Sequence, residues 1–143
     1  MGTPSNKRGE ADMQYVWAVA RSIGRHMNGA KIIVDKSTVP IGTGDKVSAL
    51  IAAELRKRKK QYPYVVVSNP EFLREGCAIK DFMEPDRVVI GADKAKAAAE
   101  VARLYQPLHA KVILTDLRSA EMIKYAANAF LSVKISFVNN IAC

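Results

Sequence analysis

Cysteine is nearly absent from this sequence: two residues in 143, Cys77 and Cys143, far apart and without CxxC spacing. Neither a disulfide scaffold nor a cysteine metal site is expected from that. Long apolar runs are missing too. No stretch reaches the roughly 18 apolar residues that a membrane helix needs, and Met1–Lys7 has no apolar core of the kind a signal peptide carries. These absences predict a cytoplasmic protein with no membrane partner. Aromatic residues are few and are not interleaved with basic ones, as a single-strand nucleic-acid binder would require. His26 and His109 have no Cys or carboxylate at ligand spacing, so no metal is expected.

What is present is globular in character. Hydrophobic residues make up 49% and charged residues 25%, a composition that folds around a core, and the length is that of one ordinary domain. The net charge of +8 raises the question of nucleic acid. Much of it is one run, Arg56-Lys57-Arg58-Lys59-Lys60, at the end of a helical pattern. Cations there complement the helix dipole and read as a solvated terminus, so no nucleic-acid partner is expected. A basic surface also suits anionic ligands such as nucleotides, without choosing among them.

Helical and strand signals alternate along the chain. Asp12 to Met27 places Tyr15, Val16, Val19, Ala20 and Ile23 at helical spacing behind Asp12 as N-cap. Lys31–Lys36 reads as a short, largely buried strand, and Gly44–Lys60 as an amphipathic helix carrying Val47, Leu50, Ile51, Glu54 and Leu55. Tyr64–Ser68, Arg87–Gly91 and Lys111–Thr115 are further strands, and Lys94–Leu104 a further helix. This alternation predicts an α/β fold with a parallel sheet built from crossover units. In such sheets ligands lie beyond the carboxyl ends of the strands, which singles out the loops Lys36–Thr43, Ser68–Gly76 and Thr115–Ser119. Ser119 to Cys143 holds no Gly or Pro and reads as one helix, about 37 Å long at 1.5 Å per residue. It is apolar nearly all round, which predicts burial, except for a stripe of Glu121, Lys124, Asn128 and Ser132.

Three constellations can carry chemistry. Ser37-Thr38-Val39-Pro40 follows a strand, where hydroxyls either hold a ligand oxygen or water, or bond the backbone in an ordinary turn. In Ser68-Asn69-Pro70-Glu71-Phe72-Leu73-Arg74-Glu75-Gly76, Asn69-Pro70 looks like a helix start and Gly76 a stop, with Glu71 and Glu75 on one face. Paired acids there suit general acid/base work, or Glu71 favours the helix start while Glu75 meets a nearby Arg. Lys124 and Asn128, one turn apart, can stabilise an oxyanion. Otherwise Lys124 snorkels to solvent and Asn128 bonds to another element. Cys77 reads as a small core or capping residue.

Taken in order, Gly2-Thr3-Pro4, Lys36–Thr43, Ser68–Gly76, Pro85–Gly91 and Glu121–Phe130 resemble the UDP-glucose/GDP-mannose dehydrogenase family along nearly the whole chain. The resemblance implies a partial Rossmann-like parallel sheet with flanking helices, followed by the start of a long central helix. The implied division is 1–116 for the C-terminal part of an NAD-binding domain and 117–143 for the start of the dimerisation-region helix. It implies NAD-dependent, two-step oxidation of a sugar C6 alcohol to a carboxylate through a cysteine-bound intermediate, in a homodimer or higher assembly. Thr3, Ser37, Thr38 and Glu75 match cofactor positions. Thr38 also matches a residue that positions the catalytic water, and Glu71 the acid/base residue. Glu71, Phe72, Leu73, Arg74 and Glu75 match the segment along the nucleotide-sugar, and Lys124 with Asn128 the pair that holds substrate and oxyanion. The wording from Asp81 to Asp86 leans to the UDP-glucose branch, with other UDP-sugar or GDP-mannose 6-dehydrogenases as alternatives.

The family's GxGxxG turn and glycine-rich catalytic-cysteine segment are missing from these 143 residues. The expectation is therefore an internal piece, inactive alone. The alternative is a non-catalytic module that binds a nucleotide-sugar or associates with a subunit.

Overall fold

The computed structural model describes residues 11–142. Its elements are α1 (Gln14–His26), β1 (Lys31–Asp35), α2 (Thr43–Lys57), β2 (Tyr64–Ser68), α3 (Ala78–Met83), β3 (Val88–Ala92), α4 (Ala95–Arg103), β4 (Val112–Thr115) and α5 (Leu117–Ala142). The four strands form one sheet in the order β1-β2-β3-β4. β1–β2 and β3–β4 are parallel, in keeping with the crossover reading, whereas β2–β3 is antiparallel. The physical reason lies in the connection. Residues 69–87 hold only α3, which is about 9 Å long at 1.5 Å per residue, against about 17 Å for a five-residue strand. Such a helix cannot carry the chain back along the sheet as a parallel crossover demands. The chain reverses instead, and the overlap is limited to Val67↔Ala92 and Ser68↔Gly91.

β2 shows how the layers are built. Successive residues of a strand point to opposite faces. Val66 joins a core with Val16 and Ala20 of α1, Val47, Ile51 and Leu55 of α2, and Leu117. Val67 joins the other core, with Val88 and Ile90 of β3 and Ala97, Ala98 and Val101 of α4. Helices therefore cover both faces, which is the α/β arrangement read from the sequence.

Several local expectations change. Met13, not Asp12, occupies the N-cap position of α1; the Asp12 carboxylate accepts the Gln14 N–H at 3.0 Å from one residue further out. Tyr15 and Val19 are exposed, because the face that packs is Val16, Ala20 and Gly24. At Gly24 a Cβ would fall 2.7 Å from Glu54 Cβ, so the missing side chain lets α1 and α2 approach. β1 is only half-buried, since β2 pairs with it on one side alone among the described residues. The basic run is not wholly solvated: Arg58 donates to the Gly24 and Met27 carbonyls at 2.9 Å, tying the end of α2 to the end of α1. α3, which no apolar periodicity announces, is led by the exposed Cys77 in its N-cap position.

The largest change concerns α5. Its residues Leu117, Ala120, Glu121 and Lys124 are buried, yet everything from Asn128 to Ala142 is exposed. The predicted burial holds only for the first two turns. Beyond them no described element lies opposite the helix.

Candidate active site

Two of the constellations follow the carboxyl ends of β1 and β2, and the third reaches the second of these through Lys124. Asp35 ends β1, and its Oδ1 accepts the Ser37 N–H at 3.0 Å, which turns the chain into the Ser37-Thr38 loop. Among the described residues its other oxygen is buried without a hydrogen-bond partner, and burial pushes this carboxyl above its usual range. Ser37 and Thr38 are half-buried in that loop. Gly42 (φ +87°) adopts the left-handed conformation that lets the loop enter α2.

Beyond β2 the predicted short helix is not formed. Residues 69–74 are irregular, and Glu75-Gly76 make a turn with Gly76 at φ +80°. Glu71 and Glu75 consequently do not share a helix face. Two contacts compete with the helix. The Glu71 carboxylate accepts the Leu73 N–H at 2.9 Å, and Asn69, expected as a cap, is turned inward. Asn69 Nδ2 donates to the Val89 carbonyl at 2.9 Å, while its Oδ1 accepts from Lys36 Nζ at 3.0 Å and from the Tyr105 hydroxyl. Lys36 Nζ also donates to that hydroxyl at 2.9 Å. One node thus joins the residue preceding Ser37-Thr38 to the residue preceding Pro70-Glu71. Sequence reasoning missed it, because Tyr105 lies 69 residues from Lys36 and nothing local marks it.

Lys124 is buried, with 7% of its surface exposed, so it does not snorkel to solvent. Its ammonium lies 3.9 Å from Glu71 Oε2 and 5.0 Å from the centre of the Phe72 ring. A direct charge-assisted hydrogen bond would be about 2.7–2.9 Å, so this buried cation is near its carboxylate without being bonded to it. Arg87, also unforeseen, stands 4.5 Å from the same ring. Glu71 and Phe72 further line a cavity of about 510 Å³ between the 69–74 segment and the 80–82 and 84–88 segments, with Lys36 and Tyr105 on its wall. Arg74 faces this cavity but is held in a two-point pair with Asp81, Nε to Oδ2 at 3.0 Å and Nη2 to Oδ1 at 2.7 Å. The pair keeps Asp81 down at about 2 and raises Arg74.

The structure therefore brings Glu71, Phe72 and Lys124 together. Leu73 and Glu75 are exposed, and Asn128 is exposed one turn beyond Lys124. Thr3 lies outside the described residues. Among those residues no cluster of His, Cys, Asp or Glu could hold a metal ion, and no helix is long and apolar enough to cross a membrane.

Known proteins share this sequence and fold. The model of the NAD binding domain of the UDP-glucose/GDP-mannose dehydrogenase family matches residues 1–109, and that of the family's central domain matches residues 118–143. The UDP-glucose 6-dehydrogenase TuaD of Bacillus subtilis is 58% identical over 142 residues, covering 99% of this chain and 30% of the relative. The UDP-glucose 6-dehydrogenase of Pseudomonas aeruginosa is 47% identical over 145 residues, covering 99% and 32%. Among solved structures, a UDP-glucose dehydrogenase from Pyrobaculum islandicum superposes with a TM-score of 0.88 at 43% identity, over 99% of this chain and 33% of that one. A GDP-mannose dehydrogenase from Pseudomonas aeruginosa in a ternary complex gives 0.88 at 38%, over 97% and 33%. The chain spans about a third of the length of the relatives it matches.

Proposed function

Because the chain belongs to the UDP-glucose/GDP-mannose dehydrogenase family, we propose that it carries part of the active site of an NAD-dependent UDP-glucose 6-dehydrogenase. Residues 1–116 then form the later part of the NAD-binding domain, and residues 117–143 the start of the central helix. The observation that carries this reading is the buried Lys124, held 3.9 Å from Glu71 without a direct hydrogen bond. A buried ammonium close to a carboxylate is prepared to meet a developing negative charge. Glu71 is the acid/base partner, Thr38 positions water, and Phe72, Leu73, Arg74 and Glu75 border the nucleotide-sugar. Asn128 completes the oxyanion contact from the next turn of α5. UDP-glucose is preferred over related UDP-sugars and GDP-mannose by the 58% and 47% identities to UDP-glucose 6-dehydrogenases.

The residues at hand fit one end of a dinucleotide. The N-terminus of α2, where an α/β fold offers backbone amides to a diphosphate, is already filled by the Glu121 carboxylate on Gly42 and Gly44. The Ser37-Thr38 loop can meet the other end, with Glu75 and Thr3 as further cofactor contacts. NAD, when bound, supplies the hydride acceptor. These 143 residues contain no GxGxxG turn, so the chain alone is expected to bind the nucleotide-sugar without turning it over. Part of the basic run is engaged internally, with Arg58 on the α1 carbonyls and Lys57 on Glu54, which supports no nucleic-acid role. The exposed apolar half of α5 supports a homodimer or higher assembly, and a cytoplasmic setting belongs to the same proposal.

Calorimetry with UDP-glucose on the chain and on Lys124→Ala tests the reading. The expected result is weak binding that the substitution lowers about tenfold, the loss of one hydrogen bond to a charged group. Absence of heat from both samples sinks it, and NADH formation by the chain alone refutes the expectation of inactivity.

A further inference from the structure

Glu121 belongs to the polar stripe of α5, and the chemistry above leaves it unused. Its carboxylate is 2% exposed as a residue and closes on the first turn of α2. Oε2 accepts the Gly42 N–H at 2.6 Å and Oε1 accepts the Gly44 N–H at 2.7 Å, from 79 and 77 residues away. The seat around it has no slack. A Cβ on Gly44 would lie 2.6 Å from Leu117 Cδ2, and one on Gly91 would collide with Ala120 Cβ and the Asp116 carbonyl oxygen. Leu117, Ala120, Glu121 and Lys124 are the buried residues of α5, at spacings of three and four. Turning the helix by a single residue rotates that face by about 100° and carries Lys124 away from Glu71.

We propose that Glu121 is the positioning residue of this site: by closing on the Gly42 and Gly44 amides it fixes the depth and rotation of α5, and so holds the Lys124 ammonium against Glu71 and Phe72. The role in catalysis rests on the reading of Lys124 and Glu71 given above; the geometric role does not. A carboxylate in this place is not chosen for stability. Burial raises the Glu121 carboxyl, the two amide bonds oppose that rise, and the nearby Asp35 and Asp45 add to it. Arg118 feels its charge, though its own partner is Asp45 at 2.7 Å. What the ionised form gains is a two-point geometry that an apolar contact would not specify.

The wild-type chain provides the first test. In NMR spectra across the acid range, the Gly42 and Gly44 amides should titrate together, with one midpoint above that of an ordinary glutamate. Flat or independent curves overturn the proposal, and this outcome does not depend on any variant folding. The second test follows acylation of Lys124 by an amine reagent, read by peptide mass. Glu121→Gln should speed it about tenfold, the loss of a bond to a charged group. Val101→Ala, a truncation in the other core cluster, should leave it unchanged, as a general loss of stability would not. An unchanged rate in Glu121→Gln, or an equal rise in Val101→Ala, refutes the role. UDP-glucose affinity, measured on the same samples, should fall about tenfold in Glu121→Gln alone. If the wild-type chain binds no UDP-glucose, the substrate reading fails while the labelling still decides the role of Glu121.

Discussion

The two halves of α5 are one helix in two environments. From Leu117 to Lys124 it is seated on α2 and β3 through residues that touch glycines, and Glu121 bonds across to backbone amides. From Asn128 to Ala142 it carries Phe130, Leu131, Val133, Ile135, Phe137, Val138 and Ile141 into solvent. Both halves are rich in apolar residues. The difference lies in what stands opposite: the first half has a socket shaped to it, the second has none among the described residues. Apolar periodicity states which residues of a helix share a face; it does not supply the surface that face requires.

Substitutions can break this comparison or sharpen it. Gly91→Val should have the largest effect, because the added atoms meet Ala120 and the Asp116 backbone. Overpacking against backbone costs about 3 kcal/mol, measurable by urea unfolding. Ala129→Val, a similar enlargement in the exposed half, should change the same measurement by less than about 0.5 kcal/mol. Equal effects at the two positions would remove the distinction between the halves.

A smaller effect is expected from pH. An acid whose pKa is raised by folding binds its proton more tightly in the folded state, so stability falls as pH rises from the unfolded value through the raised one. For Glu121 that window opens at 4.5, and for Asp35 at 3.8, and both extend upward. Unfolding free energies collected on the alkaline side of 4.5 should therefore decline with pH in the wild type and decline less in Glu121→Gln. An identical slope in the two proteins would show that Glu121 is not held in the seated half as described. The smallest effect belongs to Phe137→Ser. Its unfolding free energy should stay within about 0.5 kcal/mol of wild type, while light scattering reports less self-association as an exposed apolar side chain is removed.

Much of the fold was legible in the sequence. Tyr64–Ser68 is a strand with the ends its β-branched run suggested, and Val47, Ile51 and Leu55 point where their spacing requires. What failed were local signals outvoted by distant partners. Asn69-Pro70 and Gly76 look like the ends of a helix, but Asn69 is claimed by Val89, Lys36 and Tyr105, so no helix starts. The reversal between β2 and β3 depends on α3 being short, and α3 has no strong periodicity to announce it. In the candidate site, Glu71 and Lys124 stand out in the sequence because strand ends and helix spacing mark them. The Lys36–Asn69–Tyr105 node does not, since it exists only once β1, β2 and the end of α4 are assembled. Glu121 was visible as a polar residue, but its partners are backbone amides, which no side-chain pattern reveals.

The closure between Glu121 and the start of α2 also bears on the order in which the chain assembles. Its two ends are separated by 77 to 79 residues, so the entropy of bringing them together must be met before their bonds form. α1, α2, β1 and β2 can meet through much shorter loops. The α2 amides are therefore expected to stay hydrated until synthesis has passed residue 121, and the arrival of α5 is then the step that seats Leu117 in its core and brings Lys124 up to Glu71 in one motion.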